Sequence, residues 1–475
     1  MGSESPHATA TPARSERYTV LAVLAGGAAL RLLAAPFVPL TPDEAYYVDW
    51  ARHLQPGYLD HPPLVAWLLA LPVRLAGHSE LAVRLPAVLM QIGTGWLAAS
   101  LCSSRAGPAA GVAVVVLLQA APIFSLGAAL MTPDAPLALG WVGALWAFDR
   151  AVRSDGRWFL AAGAFVGWAL LSKLTGALLG VALLAALTST ADGRRALGRS
   201  WPWLGALLAM VIASPMLAWN AAHGWPSLAF QARHGLSGSD FSLLRLAGSL
   251  GAQMAYVSPV LIALAAAAAW RALLGSADAV SRALALSALP VAAFFTLAAA
   301  FTPGSLPHWP APAWLSATLL VAIEGTRWLR VAVVSSAALA ALATALLALA
   351  PLSRDPLDEM RGWREGARAA RVAAGGARIA ATHWIALGQL GWYTGTPAAY
   401  VGDRVCAASY YEGDPRRAGE SLLVVVDEGL GPSVAELEAR MGPLRPAGFA
   451  EARHGGRVVR RFRFYRWEPA SSAGP

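Results

Sequence analysis

Charged residues are scarce in this chain of 475 residues. Asp, Glu, Lys and Arg make up 14% of it, against roughly a quarter in a soluble globular domain. Apolar residues make up 56%, and the mean hydropathy is +0.50. Its two cysteines, Cys102 and Cys406, are too few for a disulfide scaffold or a cysteine metal site. This composition does not fit a cytosolic enzyme, and most of the chain is expected to lie in lipid.

Lysine is almost absent, because Lys173 is the single lysine among 37 basic residues. The net charge of +9 does not indicate a nucleic-acid partner, since the arginines are scattered between apolar runs rather than clustered. The sequence also lacks a Walker A loop, an HExxH motif and a GxSxG elbow. ATP hydrolysis and the usual zinc or serine hydrolysis are therefore unsupported. The energy for any reaction must arrive with the substrate, as it does with a lipid-linked activated donor.

Apolar runs long enough to cross a hydrocarbon core of roughly 30 Å recur along the chain. We therefore predict an α-helical polytopic membrane protein with about 11 transmembrane helices. The runs lie at 18–38, 86–103, 109–130, 135–148, 158–172, 174–190, 202–221, 247–269, 284–301, 310–323 and 331–350.

The arginines predict the orientation of these runs. With the N-terminus in the cytoplasm and alternating spans, the inner segments hold 13 arginines, whereas the longer outer loops hold five. This bias follows the positive-inside rule. An odd number of spans then places the C-terminal region on the extracytoplasmic side.

Three regions are predicted. Residues 1–17 form a disordered cytoplasmic tail, and 18–350 form the transmembrane domain with a large outer loop at 39–84. Residues 351–475 form a small extracytoplasmic α+β domain, because polar residues return there. Within it, Ser421–Val426 and Arg457–Trp467 resemble strands, and Asp355–Ala374 and Ser433–Met441 resemble helices. No internal repeat was found that would indicate an inverted-repeat transporter.

The first outer loop opens with two acids and two aromatic residues, in Pro42-Asp-Glu-Ala-Tyr-Tyr47. Ionisable residues are costly near lipid and are functional candidates there. Asp43 and Glu44 are predicted to be catalytic, and Tyr46 and Tyr47 to bind substrate. The alternative is a solvated helix start, in which proline and acids are favoured.

The same loop supplies further candidates for substrate binding. Asp60 and His61 stand in Gly57-Tyr-Leu-Asp-His-Pro-Pro63, where the alternative is a polar turn before two prolines. Arg84, at the end of this loop, and Arg233, in a later long outer loop, are candidate phosphate ligands. Both would serve equally well as membrane-surface charges.

Three later outer turns supply the remaining candidates. Asp134, in Thr132-Pro-Asp-Ala-Pro136, is predicted to be catalytic, with a helix cap as the alternative. Lys173 and His308 are predicted to bind substrate, although Lys173 could snorkel to headgroups and His308 could be a structural loop histidine. The ammonium of lysine is a compact charge that suits a phosphate. All these turns are predicted to meet on one membrane face.

In combination these motifs resemble the GT-C class of membrane glycosyltransferases, the group of protein O-mannosyltransferases and lipid A aminoarabinose transferases. The resemblance covers residues of about 20–320. It rests on Asp-Glu-Ala-Tyr-Tyr, Asp-His-Pro-Pro, the Asp of the second outer turn and Ser-Lys-x-Thr-Gly at the third. One motif departs from the aminoarabinose transferases, which have an acid-Lys-Pro pattern where this chain has Asp60-His61-Pro62.

The resemblance implies an inverting enzyme of a bacterial-type inner membrane that takes a sugar from a polyprenyl phosphate. The acceptor would be a lipid A-like glycolipid, another envelope glycan or a protein on the extracytoplasmic face. By position, Asp43 matches the base or orienting acid, Glu44 its partner, Asp134 the second-loop acid, and Lys173 the lysine near the donor phosphate.

Two other functions remain open at this stage, namely a transporter or lipid flippase and a non-catalytic envelope scaffold. A transporter would spread ionisable residues through the bilayer midplane, whereas here they lie in outer turns. No cofactor is expected to be required. A divalent ion among the loop acids and His61 is conceivable, but the resemblance does not favour one.

Overall fold

The computed structural model describes residues 14–236, 240–275, 278–349 and 356–469. These residues divide into two compact units. The helical unit comprises Met1–Leu33, Ala87–Ala129 and Pro133–Leu346, and the mixed unit comprises Ala34–Pro86, Leu130–Thr132 and Leu347–Pro475.

Helices account for most of the described residues up to 349. They are α1 (Arg14–Ala34), α2 (Pro42–Arg52), α3 (Leu64–Ala76), α4 (Glu80–Ala106), α5 (Pro108–Ala120), α6 (Pro122–Ser125), α7 (Asp134–Arg153), α8 (Trp158–Ser172), α9 (Gly176–Ser189), α10 (Ala191–Leu197), α11 (Ser200–Ala222), α12 (Pro226–Leu236), α13 (Leu243–Val257), α14 (Pro259–Leu274), α15 (Ala279–Phe301), α16 (Ala311–Glu324) and α17 (Leu329–Leu349).

Every predicted apolar run contains a helix or a pair of helices, but two runs are broken. Run 109–130 is α5 followed by α6, with the axis bent by 78°, and run 247–269 is α13 followed by α14, bent by 99°. Each second helix begins with a proline, which has no N–H to donate and is tolerated at the first helical position. At the second break Ser258 has φ +95°, and its hydroxyl caps α14 by accepting from the Leu261 N–H at 3.2 Å.

Five helices in the described part of the chain are individually long and apolar enough to cross a membrane, and the number rises to eight if each bent pair counts as one span. Shorter apolar helices, such as α8 and α16, add to these. The predicted total of about 11 spans stays a prediction.

Small residues let helices of the helical unit approach closely. A Cβ added to Gly163 on α8 would lie 1.9 Å from the Gly205 carbonyl oxygen on α11, and one added to Gly205 would lie 2.2 Å from the Phe159 carbonyl oxygen. Packing through glycine is the usual device between apolar helices, because lipid provides no hydrophobic force between them.

The mixed unit adds a small sheet with flanking helices. Its further elements are α18 (Trp363–Ala374), β1 (Arg378–Ala381), α19 (Trp384–Thr394), β2 (Ala399–Tyr400), α20 (Ala408–Tyr411), β3 (Leu422–Asp427), α21 (Val434–Met441), β4 (Arg445–His454) and β5 (Arg457–Trp467). The strand order is β2-β1-β3-β5-β4. β1 runs parallel to β2 and β3, whereas β5 runs antiparallel to β3 and β4.

The predicted strands at 421–426 and 457–467 coincide with β3 and β5, and the predicted helix at 433–441 coincides with α21. The predicted helix at 355–374 begins too early, because α18 starts at Trp363 and is preceded by a 3-10 turn at Pro356–Glu359. The sequence patterns missed β1, β2, β4, α19 and α20. Loop 39–84, assigned to the transmembrane domain by sequence, falls entirely in the mixed unit with the C-terminal residues. The other domain limits stay predictions. Of the predicted tail, residues 14–17 belong to α1, and 1–13 lie outside the described residues.

Candidate active site

The first acids of the outer loop begin α2, and a capping box fixes that start. The Thr41 hydroxyl accepts from the Glu44 N–H at 3.2 Å, and the Glu44 carboxylate accepts from the Thr41 N–H at 3.0 Å. Pro42 occupies the first helical position. A capping box satisfies two backbone donors that a helix start leaves unpaired, so the orientation of this turn is well defined.

Glu44 is fully buried and forms a two-pronged ion pair with Arg84, which is 3% exposed. Arg84 Nε donates to Oε1 at 3.0 Å and Nη2 to Oε2 at 2.9 Å. The Met131 N–H also donates to Glu44. Arg84 further donates to the carbonyls of Ala35, Val38 and Pro39 at 2.7–2.9 Å. The geometry therefore favours a structural role for this pair, and the predicted catalytic and phosphate-binding roles gain no support from it.

Asp43 precedes Glu44 in the same turn and has the opposite surroundings, since its side chain is exposed. The buried ion pair of Glu44 with Arg84 holds the turn that carries it. Asp43 is thus an accessible carboxylate on a rigid support, which is what a base or orienting group requires.

Tyr46 joins the outer loop to the C-terminal region. Its hydroxyl donates to Asp60 Oδ2 at 2.9 Å and accepts from the Ala407 N–H at 2.8 Å. Burial raises the pKa of Asp60 to about 6, opposed by the hydrogen bond from Tyr46 and by the charge of Arg404. Asp60 is therefore a carboxyl group that can change charge near neutral pH.

Aromatic side chains surround this hydrogen bond. Tyr46 lies against Trp50 and Trp384, with ring centroids 5.1 Å apart in both pairs. Tyr47 is also buried, and its ring lies 6.2 Å from that of His61. The structure thus brings together four residues predicted to bind substrate, namely Tyr46, Tyr47, Asp60 and His61. The rings of the two tyrosines pack against other aromatic rings.

Helix α19 makes contacts with α2 and with the residues just before it that were not predicted from the sequence. Trp384 begins α19, and Gly388 lets this helix touch α2, because a Cβ there would lie 2.6 Å from the Tyr46 nitrogen. Gln389 Nε2 also donates to the Leu40 carbonyl at 3.0 Å. No motif marks these residues, since α19 is buried nearly all round and shows no polar periodicity.

Three other predicted residues meet in the helical unit. Lys173 Nζ donates to Asp134 Oδ1 at 2.8 Å, with the two side chains 13% and 30% exposed. Asp134 is the first residue of α7, and Lys173 follows the last turn of α8 in extended conformation. His308 lies near both charges, and burial lowers its pKa. We call Asp134, Lys173 and His308 the lysine cluster.

Three comparisons bear on this arrangement. The family described as dolichyl-phosphate-mannose-protein mannosyltransferase matches residues 60–219. The lipid A galacturonosyltransferase RgtD of Rhizobium johnstonii is 25% identical over 296 residues, which is 58% of this chain and 59% of that protein. The match thus spans less than two thirds of the relative's length.

Two solved structures share the fold. ArnT from Cupriavidus metallidurans bound to undecaprenyl phosphate aligns with a TM-score of 0.69 at 18% identity, covering 96% of this chain and 99% of that one. Its apo state aligns with a TM-score of 0.67, also at 18% identity, covering 98% and 100%. The resemblance to GT-C class glycosyltransferases is confirmed. The predicted fold class, a GT-C-like polytopic helical fold with a small C-terminal α+β region, is confirmed with it.

The remaining predicted residue, Arg233, makes no described contact with the lysine cluster. Arg233 is exposed on α12, and its Nε lies 3.4 Å from the Ala229 carbonyl of its own helix. Its phosphate-binding role stays a prediction. Within the described ranges no group of three or more His, Cys, Asp or Glu side chains could hold a metal ion. The expectation that no cofactor is required remains untested.

Proposed function

We propose that this chain is an inverting glycosyltransferase that moves a sugar from a polyprenyl-phosphate donor to an acceptor at the extracytoplasmic membrane face. The lysine cluster is the observation that carries the proposal. A lone lysine is paired with Asp134 at the ends of two apolar helices, beside a histidine. Such charges are costly near lipid and are kept there for function.

Lys173 would stabilise the phosphate that leaves the sugar. Its ammonium is a compact charge with three donors, one of which donates to Asp134. Asp134 would orient the ammonium, and the neutral imidazole of His308 would add one N–H donor. The solved ArnT structure contains undecaprenyl phosphate, which supports a polyprenyl phosphate as the class of donor.

Asp43 would act on the acceptor. For a hydroxyl acceptor, the bond between the anomeric carbon and the phosphate oxygen breaks, and a bond to the acceptor oxygen forms on the opposite face. The acceptor proton passes to the Asp43 carboxylate, and the polyprenyl phosphate leaves with the electron pair. For a phosphate acceptor no base is needed, and Asp43 would only position it.

A lipid A-like glycolipid is the acceptor we favour among glycolipid, glycan and protein. The support is that a relative that matches 58% of the chain is named for galacturonosyl transfer to lipid A. The departure at His61, where the aminoarabinose transferases have lysine, leaves the sugar open. Mass spectrometry of glycolipids and glycoproteins from a strain lacking this chain would identify sugar and acceptor together.

The proposal is tested with purified protein in liposomes and a radiolabelled polyprenyl-phosphate sugar. Asp43→Asn should lower kcat by about 100-fold, since general-base catalysis typically contributes that much or more. Lys173→Gln should raise the donor KM and lower kcat. Asp155→Asn, which removes an exposed acid between α7 and α8, is the matched control and should leave transfer unchanged.

Full activity of the folded Asp43→Asn and Lys173→Gln proteins would contradict the proposal. The rival function, transport or flipping of a lipid, gives a different result in the same liposomes. Label would then cross the membrane without appearing in a covalent product.

A further inference from the structure

A polar pocket of about 300 Å³ lies within the mixed unit, between the segment 400–416 and Arg440 at the end of α21. Pockets of this size are the smallest that usually hold a small ligand, and a saccharide of one or two rings would fit. None of the residues predicted from the sequence lines it. The pocket is therefore a feature that the site described above does not use.

The arginines that line the pocket differ in the number of hydrogen bonds that they form with the protein. Arg416 donates to Asp414 through Nε and Nη2 at 2.8 and 2.7 Å, and through Nη1 to the Arg440 carbonyl at 2.7 Å. That pair is therefore neutral. Arg440 itself donates Nη2 to the Gly402 carbonyl at 2.7 Å, one bond for a guanidinium that has five N–H groups.

The pocket is also connected to the outer-loop acids. Arg404 lines it and is close enough to Asp60 to oppose the rise in that carboxyl's pKa. Ala407, between the lining residues Arg404 and Ala408, donates its N–H to Tyr46, which in turn donates to Asp60. A ligand in the pocket would therefore lie beside a segment that is hydrogen-bonded to the outer loop.

We propose that this pocket binds an anionic saccharide, a sugar that bears a phosphate or carboxylate, as part of the acceptor. The guanidinium of Arg440, with that of Arg404, would bind the anionic group, because planar N–H pairs match carboxylate and phosphate oxygens. Asp403 and Ser409 would bind ring hydroxyls. Assigning the saccharide to the acceptor rests on the proposed function, whereas the binding itself does not.

The test is binding to the full chain in detergent micelles, measured by saturation-transfer NMR with three probes: glucosamine 1-phosphate, glucosamine and inorganic phosphate. The first should bind more tightly than the other two. Arg440→Gln should weaken it about tenfold, the loss expected for a charge-assisted hydrogen bond. Arg417→Gln removes a charge next to the pocket from a side chain that is 90% exposed and does not line it, and should leave binding nearly unchanged.

Two substitutions that change the size of a side chain but not its charge give a second test of the pocket. Gly413 lines the pocket, and a Cβ there would meet nothing within 4 Å, so both variants should fold. Gly413→Phe should abolish binding by filling the pocket, and Gly413→Ala should retain it.

Equal binding of inorganic phosphate and glucosamine 1-phosphate would overturn the inference, and so would binding that survives Gly413→Phe. Binding is measured without donor, so the two proposals fail separately. A chain that binds the saccharide and transfers nothing contradicts the proposed function, whereas one that transfers normally with Gly413→Phe contradicts the acceptor pocket.

Discussion

Asp43 and Glu44 are neighbours with the same chemistry and opposite surroundings. Glu44 has no exposed surface, and both of its oxygens accept from Arg84, while Asp43 is exposed. The scarcity of acids in the sequence marked both residues equally. It could not distinguish them, because the partner that buries Glu44 lies 40 residues further along the chain.

We expect Glu44→Gln to destabilise the protein strongly. Removing one partner of a buried ion pair typically costs about 3–5 kcal/mol, since the other charge stays buried without compensation. Thermal unfolding in detergent micelles measures the effect. Asp43→Asn is the matched variant and should unfold at nearly the wild-type temperature, so equal melting temperatures for the two variants would contradict a structural role for Glu44.

The raised pKa of Asp60 predicts a pH-dependent stability. Its carboxyl titrates at about 6 in the folded chain, above its ordinary value of 3.8. The folded state therefore favours the protonated form, and the stability that this gives is present below about pH 4 and is lost as the pH rises through 6.

Comparing melting temperatures of the wild type and Asp60→Asn from pH 4 to 7 checks this expectation. The wild type should lose stability relative to the variant across that range. Tyr46→Phe should raise the pKa of Asp60 further, because the hydroxyl that donates to the carboxylate is gone. The loss of stability should then extend to higher pH. A difference between wild type and Asp60→Asn that does not change with pH would contradict the raised pKa.

At the scale of elements, the close contact of α19 with α2 supports the turn that carries Asp43. Gly388→Ala places a methyl group within 2.6 Å of the α2 backbone, and overpacking of this kind costs about 1–3 kcal/mol. We expect lower thermal stability together with reduced transfer. Gly391→Ala on the same helix is the control, since its Cβ would meet nothing nearer than 3.6 Å. Equal behaviour of the two variants would mean that α19 does not position α2.

Elements with a strong periodic or apolar signal could be predicted from the sequence, and those defined by their neighbours could not. The helices of the helical unit follow from apolar runs, and β5 follows from alternating residues. The break at Ser258 depends on one residue with positive φ, which serine adopts rarely and no pattern marks. β4 was missed because most of its residues are exposed at the edge of the sheet, where no alternation is required.

At the scale of the molecule, the distribution of arginine predicts that the N-terminus is cytoplasmic and residues 351–475 are outside. Both native cysteines are buried, so single introduced cysteines can report on the orientation. Ala435→Cys, at an exposed position on α21, should react with an impermeant maleimide in intact spheroplasts. Ser154→Cys, between α7 and α8, should react only after the membrane is opened, and labelling of Ser154→Cys in intact cells would contradict the orientation.

The single lysine of the lysine cluster has a consequence for spectroscopy. Reductive methylation with ¹³C-formaldehyde converts amines to dimethylamines, and in this chain only Lys173 and the terminal amine can react. The labelled protein would therefore show one side-chain resonance in a two-dimensional carbon–proton spectrum. Lys173 Nζ is hydrogen-bonded to Asp134. The chemical shift of its labelled methyl groups would therefore change when a donor phosphate displaces the carboxylate, and no other signal would need to be assigned.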